Sequence, residues 1–261
     1  MSTDTQTAVI EMSGVAAVAL RDPTRIAVEA VDWRVAAGDS WVLAGMQSTG
    51  KSDFLMLTAG LTSPAAGSYR LFGEAMPVFE SARLATRLRL GVVFEGGRLS
   101  NDLTVAENIA LPLRYHDNLT VEEASGRVAE LLSWTDLAHR ANTRPGLLSH
   151  AERRRAGLAR ALILRPEVLL LDGPLTGLDA RQTAWWLGFL DQLSAGHEAV
   201  AGRPMTLAVT TETLWPWRGH GRQFALLAER RFEVLGAWED VERSASLVVR
   251  EMLLGAAVKR I

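Results

Sequence analysis

Gly45-Met-Gln-Ser-Thr-Gly-Lys-Ser52 decides the fold of this chain. The octapeptide fits the pattern G-x-x-x-x-G-K-[ST], whose glycines let successive backbone N–H groups converge on phosphate oxygens. Lys51 supplies a mobile cation for the β- and γ-phosphates, and the hydroxyl of Ser52 is a ligand for Mg²⁺. An apolar run at 41–44 precedes the loop, and a helical pattern at 51–59 follows it. The sequence therefore predicts a phosphate-binding loop between a buried strand and a helix, and a glycine-rich turn without a ligand is the weaker alternative.

One position next to this loop departs from what a phosphate site requires. Asp53 follows Ser52 at a place where a hydroxyl would donate to the α-phosphate, so a carboxylate there faces a group of like charge. Asp53 therefore counts against tight nucleotide binding. The residues assigned to nucleotide binding are Gly45, Ser48, Thr49, Gly50, Lys51, Ser52 and Asp53.

Strand-like and helical patterns alternate along the rest of the chain. Short apolar runs at 90–94, 168–171 and 205–209 are typical of buried strands, whereas 104–165 has helical periodicity with a capping-box start at Thr120. This alternation predicts one α/β domain over 1–261, with a mixed sheet and an antiparallel β portion near the N-terminus. We expect its parts to be a core at about 8–95 and 161–240, a helical subdomain at about 96–160 and a helical tail at 241–261.

Composition excludes several classes of protein. The 261 residues contain no cysteine, and their net charge of −2 leaves no basic footprint for nucleic acid. No stretch has the length and apolar character of a targeting or membrane-spanning segment, so a cytoplasmic protein is expected. The eight tryptophans are predicted mainly to pack in the core, with a contact surface at 185–186 or 215–217 as the alternative.

Several further motifs follow the phosphate loop in a fixed order. They are Leu90-Gly-Val-Val-Phe-Glu95, the segment 103–113, Leu148-Ser-His-Ala-Glu152, Leu169-Leu-Leu-Asp172 and Leu178-Asp179. With these motifs the chain resembles the ATPase subunits of ATP-binding-cassette (ABC) transporters over about 8–240. The finer features at 110–116 and 249–255 are most similar to the ATPases of bacterial Mla/Mce-type lipid transporters.

The resemblance implies a partner-dependent ATP site. ATP and Mg²⁺ would lie between the phosphate loop of one subunit and the signature motif of a second ABC ATPase subunit, in a homo- or heterodimer. A transmembrane permease would contact 95–115, which places the protein in the cytoplasm at the inner face of the cell membrane. Ser52 and Asp172 would serve Mg²⁺, and Leu178 and Asp179 would form the D-loop. The signature residues would be Leu148, Ser149, His150, Ala151 and Glu152.

Departures from the family pattern fall on catalytic positions. Gly173 replaces the glutamate expected to polarise the attacking water, Thr211 replaces the switch histidine, and Glu95 replaces a glutamine. His150 and Ala151 also place side chains where the signature backbone must approach phosphate. Because a general base contributes ~10²- to 10⁴-fold, we expect impaired or absent hydrolysis.

Two questions stay open at the level of sequence. Glu95 or Glu212 could act as a relocated base, or Glu95 could be an interface residue and Glu212 a solvated charge. The chain could also be a pseudo-ATPase scaffold or regulatory subunit without turnover. Arg153-Arg-Arg155 is predicted to be a solvated helix face, and the five histidines lack metal-ligand spacing.

Overall fold

The computed structural model describes residues 8–76 and 84–254, which separate into two compact units. The first unit contains the residues up to 87 together with those from 206 onward, and the second contains 88–205. The part of the predicted tail beyond 254 lies outside the described residues. No helix within the described ranges is long and apolar enough to cross a membrane.

The first unit is built on a mixed sheet of eight strands. Its strand order is β5-β4-β1-β2-β10-β9-β3-β8. The N-terminal strands pair antiparallel, as predicted, whereas β3 pairs parallel to both β8 and β9. The strands are β1 (Ala8–Ala19), β2 (Asp22–Ala36), β3 (Ser40–Ala44), β4 (Ala66–Leu71), β5 (Glu74–Met76), β8 (Thr206–Thr211), β9 (Gln223–Ala228) and β10 (Arg231–Gly236).

Helix α1 (Lys51–Thr58) is anchored by an aromatic cluster. The ring of Phe54 lies 5.5 Å from that of Trp33 and 5.4 Å from that of Phe232, and Trp33 also contacts Trp41 edge to face. Such aromatic pairs add to the free energy gained from burying the rings. The cluster therefore fixes the helix that begins at the phosphate-loop lysine.

The second unit joins a short parallel β pair to a set of helices. Strands β6 and β7 run side by side, with Val93 opposite Leu171. Capping boxes start three of the helices, including the one predicted at Thr120. Helix α2 (Leu84–Leu88) belongs to the first unit except for its last residue. The main elements of the second unit are β6 (Leu90–Val93), α3 (Val105–His116), α4 (Val121–Trp134), α5 (His150–Leu162), β7 (Val168–Leu171) and α6 (Ala180–Ala195).

The arginine run on α5 is not a solvated face, so that prediction was wrong. The side chains of Arg154 and Arg155 are buried, with exposures of 3% and 7%. Arg155 contacts Asp136 and Gln182 and stacks on Trp185, with its guanidinium 3.9 Å from the ring centroid. Carbonyl, carboxylate and amide oxygens accept hydrogen bonds from these guanidinium groups, which offsets part of the cost of burying their charge.

Two helices follow the last strand of the first unit. Helix α7 (Trp238–Arg243) and helix α8 (Leu247–Leu254) are short, and the N–H of Leu214 donates to the carbonyl of Met252 in α8.

Among the tryptophans, Trp33, Trp41, Trp186 and Trp217 are buried, as core packing requires, whereas Trp215 is 55% exposed.

Candidate functional site

The phosphate loop begins where β3 ends, and its glycines are required by close backbone contacts. The N–H of Gly45 donates to the carbonyl of Thr211 over 3.1 Å. A Cβ atom at position 45 would lie 2.6 Å from the carbonyl oxygen of Leu227, which is closer than real contacts allow. Gly50 has a φ of +90° and precedes the first turn of α1. These constraints hold the loop in the curled conformation that exposes backbone N–H groups to an anion.

Lys51 lies inside this curl and interacts with the loop itself. Its Nζ donates to the carbonyls of Gly45 and Met46 at 2.7 and 2.6 Å. The same Nζ is 3.7 Å from Oε1 of Glu212, which follows β8. The loop cation is therefore held by two carbonyls of its own loop, with a carboxylate beside it.

Local contacts and backbone geometry describe the other residues that are predicted to bind nucleotide. Ser48 has a positive φ of 64°, and the hydroxyl of Thr49 donates to the carbonyl of Met46. Ser52 is exposed on the first turn of α1. Oδ1 of Asp53 accepts the backbone N–H of Leu20 over 2.8 Å, so this carboxylate is held toward the end of β1.

Thr211 stands at the position assigned to the switch histidine, and its hydroxyl is occupied by a local turn. The Oγ1 atom donates to the carbonyl of Thr213 at 2.8 Å and accepts the N–H of the same residue at 3.2 Å. The side chain is 5% exposed. Thr211 therefore acts as a turn-forming residue in this conformation.

In the second unit, Asp172 and Gly173 follow β7 directly. The N–H of Asp172 donates to the carbonyl of Val93 at 2.8 Å, which extends the β ladder by one residue. Gly173 adopts a φ of +52°, and a Cβ atom there would meet Oγ1 of Thr176 at 2.7 Å. An L-amino acid at position 173 is therefore strained both by its backbone and by its neighbour.

The signature segment starts a helix with a complete capping box. Oγ of Ser149 accepts the N–H of Glu152, and a carboxylate oxygen of Glu152 accepts the N–H of Ser149 at 2.7 Å. Arg140 also donates to this carboxylate. Burial raises the pKa of Glu152, but hydrogen bonds from Ser149 and Arg140 outweigh it and leave the pKa below its ordinary value. Leu148 is buried, whereas His150 is exposed and Ala151 is half-buried.

The two residues that are predicted to form the D-loop lie at the start of α6. Oδ1 of Asp179 accepts the N–H of Gln182 at 2.8 Å and caps α6. Leu178, immediately before it, is half-buried. An aspartate at this position stabilises the start of the helix whether or not a second subunit is present.

Sequence reasoning missed Arg154, which connects two loops of the second unit. Its guanidinium donates to the carbonyls of Glu95, Pro174 and Thr176 at 2.8–3.0 Å. A run of three arginines is typical of a solvent-exposed helix face, so the run itself does not predict this contact. The only available signal was the apolar character of the residues that follow it on α5.

Two side chains that are predicted to serve Mg²⁺ carry hard oxygen donors of the kind that this ion prefers. They are the hydroxyl of Ser52 in the first unit and the carboxylate of Asp172 in the second. Within the described ranges, no group of three or more histidine, aspartate or glutamate side chains is placed to hold a metal ion. A loop of this geometry between a parallel strand and a helix defines a P-loop nucleotide-binding protein.

Comparison with known proteins shows to which family of P-loop nucleotide-binding proteins this chain belongs. The ABC transporter family matches residues 28–176, so the chain belongs to that family and is an ATP-binding subunit of an ABC transporter. Lipoprotein-releasing system ATP-binding protein LolD of Psychrobacter arcticus is 32% identical over 80% of this chain and 88% of its own length. Nod factor export ATP-binding protein I of Burkholderia thailandensis is 40% identical over 62% of this chain. The chain spans only about half, 52%, of that second relative.

Solved structures confirm the fold. The ATP-binding cassette MJ0796, in a dimeric post-hydrolysis state bound to ADP and Pi, has a TM-score of 0.76 at 24% identity and covers 88% of this chain and all of its own. CbiO1 of Clostridium perfringens, part of the transporter complex cbiONQ, has a TM-score of 0.76 at 18% identity, with 96% of each chain covered. The predicted ABC-ATPase fold, with its mixed sheet and helices, is thereby confirmed.

Proposed function

We propose that this chain is a transporter subunit that binds ATP-Mg²⁺ and hydrolyses it slowly. Lys51 and the backbone of 45–50 bind the phosphates, and Ser52 and Asp172 hold Mg²⁺, which supplies charge neutralisation when bound. The backbone conformation of Gly173 carries the proposal for slow hydrolysis. It supports a site without a side-chain base at the end of β7, because the left-handed conformation and Thr176 disfavour any larger residue.

The nucleotide site is proposed to be completed by a second ABC ATPase subunit. The signature segment 148–152 and the D-loop residues Leu178 and Asp179 would face the nucleotide of that partner. The dimeric state of MJ0796 supports this arrangement by analogy of fold. The whole chain then acts as one nucleotide-binding domain, with a core, a helical subdomain at about 96–160 and a tail.

The membrane partner is proposed to be a permease that contacts 95–115. Helix α3 presents Leu111 and Tyr115 to solvent, with exposures of 38% and 77%. Exposed apolar side chains of this size suit a protein contact. The subunit would accordingly be peripheral on the inner face of the cell membrane.

A lipid or lipid-linked molecule is the proposed transport substrate. Two observations support it: the similarity of 110–116 and 249–255 to the ATPases of Mla/Mce-type lipid transporters, and the relative that belongs to a lipoprotein-releasing system. The position of Gly255 lies outside the described residues. A transport assay with labelled phospholipid and with lipoprotein would distinguish the two cargo classes.

ATP-Mg²⁺ binding by calorimetry, with phosphate release followed in the same sample, tests the proposal. Binding that is lost in Lys51→Ala, together with slow release, is the expected result. Arg21→Ala, at an exposed position outside the phosphate loop, is the control and is expected to bind like the wild type. Rapid release would contradict impaired hydrolysis, and absence of binding in the assembled complex would favour the second candidate function.

That second candidate is a pseudo-ATPase scaffold or regulatory subunit. The contact of Glu212 with Lys51 favours it, because a carboxylate beside the loop cation competes with phosphate for that cation. Transport that continues unchanged with Lys51→Ala in native cells would support the scaffold and overturn ATP-dependent function of this subunit.

A further inference from the structure

Glu95 lies beside the position that lacks a carboxylate. Strands β6 and β7 pair in parallel with Val93 opposite Leu171, so Glu95 and Gly173 each stand two residues beyond that pair. The Cγ atom of Glu95 is 3.9 Å from the point where the first side-chain carbon of residue 173 would lie. The neighbouring strand therefore brings a glutamate side chain to the place where Gly173 has none.

The backbone on both sides of this place is held by Arg154. One nitrogen of its guanidinium donates to the carbonyl of Glu95, and others donate to the carbonyls of Pro174 and Thr176. Because Arg154 is 3% exposed, few competing water contacts are available to it. The segment that carries Glu95 and the loop that contains Gly173 are thus fixed to the same buried side chain.

The other candidate base has a different environment. Glu212 belongs to the first unit, and its carboxylate lies 3.7 Å from Nζ of Lys51. A carboxylate drawn to that cation is placed to interact with the phosphate-binding lysine. Glu95, by contrast, is exposed to solvent and adjoins the residue that follows Asp172, so water has access to it.

We propose that Glu95 is the catalytic carboxylate of this subunit and that it takes over the task of the missing side chain at position 173. This inference rests on the proposed ATP-binding function. The carboxylate orients a water molecule whose oxygen forms a bond to the γ-phosphorus of ATP. The bond from the γ-phosphorus to the bridging oxygen breaks, and its electron pair leaves with ADP. The proton of the water passes to Glu95 and from there to solvent.

The test compares Glu95→Gln with the wild type in protein purified from native cells with its bound partners. Glutamine keeps the size and hydrogen-bonding reach of the side chain but cannot accept the proton. We expect phosphate release to fall by about 100-fold or more, while calorimetry shows unchanged ATP-Mg²⁺ affinity. Glu122→Gln, the same chemical change at an exposed position of α4, is expected to release phosphate like the wild type.

The outcomes separate the inference from the function on which it rests. ATP binding with equal phosphate release in the wild type and Glu95→Gln overturns the role of Glu95 and leaves nucleotide binding intact. ATP binding without measurable release from the wild type also overturns it. Absence of ATP binding by the wild-type complex overturns the proposed function itself. A lowered melting temperature of Glu95→Gln would show that the substitution also affects the structure. The variant Glu95→Asp then decides, because the inference requires it to release phosphate faster than Glu95→Gln does.

Discussion

The carboxylate of Asp53 on α1 accepts a hydrogen bond from the backbone N–H of Leu20, 33 positions earlier in the chain, at 2.8 Å. This contact fixes the end of β1 to the helix that starts at the phosphate loop. It also gives the carboxylate a structural task in addition to any effect of its charge on the phosphates.

The charge of Asp53 is expected to weaken ATP binding. Asp53→Asn keeps an oxygen that can accept the N–H of Leu20 and removes the negative charge. Relief of a like-charge repulsion of about 1 kcal/mol should tighten ATP-Mg²⁺ binding by about fivefold. Calorimetric titration measures the change, and Asp117→Asn, at an exposed site beyond α3, serves as the matched control. Equal affinities of the wild type and Asp53→Asn would show that this carboxylate does not act on the nucleotide.

The left-handed backbone of Gly173 should make it intolerant of side chains. Gly173→Ala is expected to lower the free energy of unfolding by about 1–2 kcal/mol from backbone strain, with an additional cost from the contact with Thr176. Gly177, whose φ is +70° with open space around it, supplies a comparison for backbone strain alone. Gly188→Ala on α6, where a Cβ atom meets nothing within 4 Å, should stabilise by about 0.5–1 kcal/mol. Urea denaturation of the three variants tests this order.

Arg154 should contribute far more to stability than its neighbour Arg153. Arg154→Met leaves the carbonyls of Glu95, Pro174 and Thr176 without this donor, at a cost of about 1–3 kcal/mol for an unsatisfied buried group. Arg153→Met removes one hydrogen bond, to the carbonyl of Pro145, from a partly exposed side chain. Denaturant unfolding compares the two variants, and equal losses of stability would contradict the connecting role of the Arg154 hydrogen bonds.

Glu152 should make the stability of the second unit dependent on pH. Because its pKa in the folded protein lies below the ordinary value of 4.5, its contribution is present above that value and is lost as the pH falls through the folded pKa. Glu152→Gln should therefore lower stability near neutral pH and differ less from the wild type in acid. Unfolding measured from about pH 6 to about pH 3 tests the trend. A difference that stays constant across this range would exclude a contribution from the ionised carboxylate, and Glu122→Gln controls for the general loss of one charge.

Local patterns were sufficient for the phosphate loop and much of the fold. The spacing of glycine and lysine at 45–52 predicts the geometry of the phosphate loop because that geometry depends on residues close together in the sequence. The capping box at Thr120 is equally local, since its partner Glu123 is three residues away. The apolar runs that became β6, β7 and β8 carry the signal of buried strands within a few residues.

Contacts between distant segments could not be predicted from the same patterns. Arg154 was assigned to solvent because nothing beside it in the sequence indicates that carbonyls from 95, 174 and 176 surround it. The turn between β9 and β10 could not be predicted from its residues. Glu229 and Arg230 adopt positive φ there, whereas Asn-Gly is the usual sequence for such a turn. The hydrogen bond between Asp53 and Leu20 could not be predicted either, because the two residues are 33 positions apart in the sequence.

The conformation of Gly173 sets a condition on any attempt to engineer a faster ATPase. A single change of Gly173 to glutamate would place a long side chain on a left-handed backbone, against the hydroxyl of Thr176. The loop would have to flip its peptide and move Thr176 before the new carboxylate reached a useful position. Restoration of the conventional catalytic group is therefore a loop-redesign problem that requires at least two coordinated substitutions.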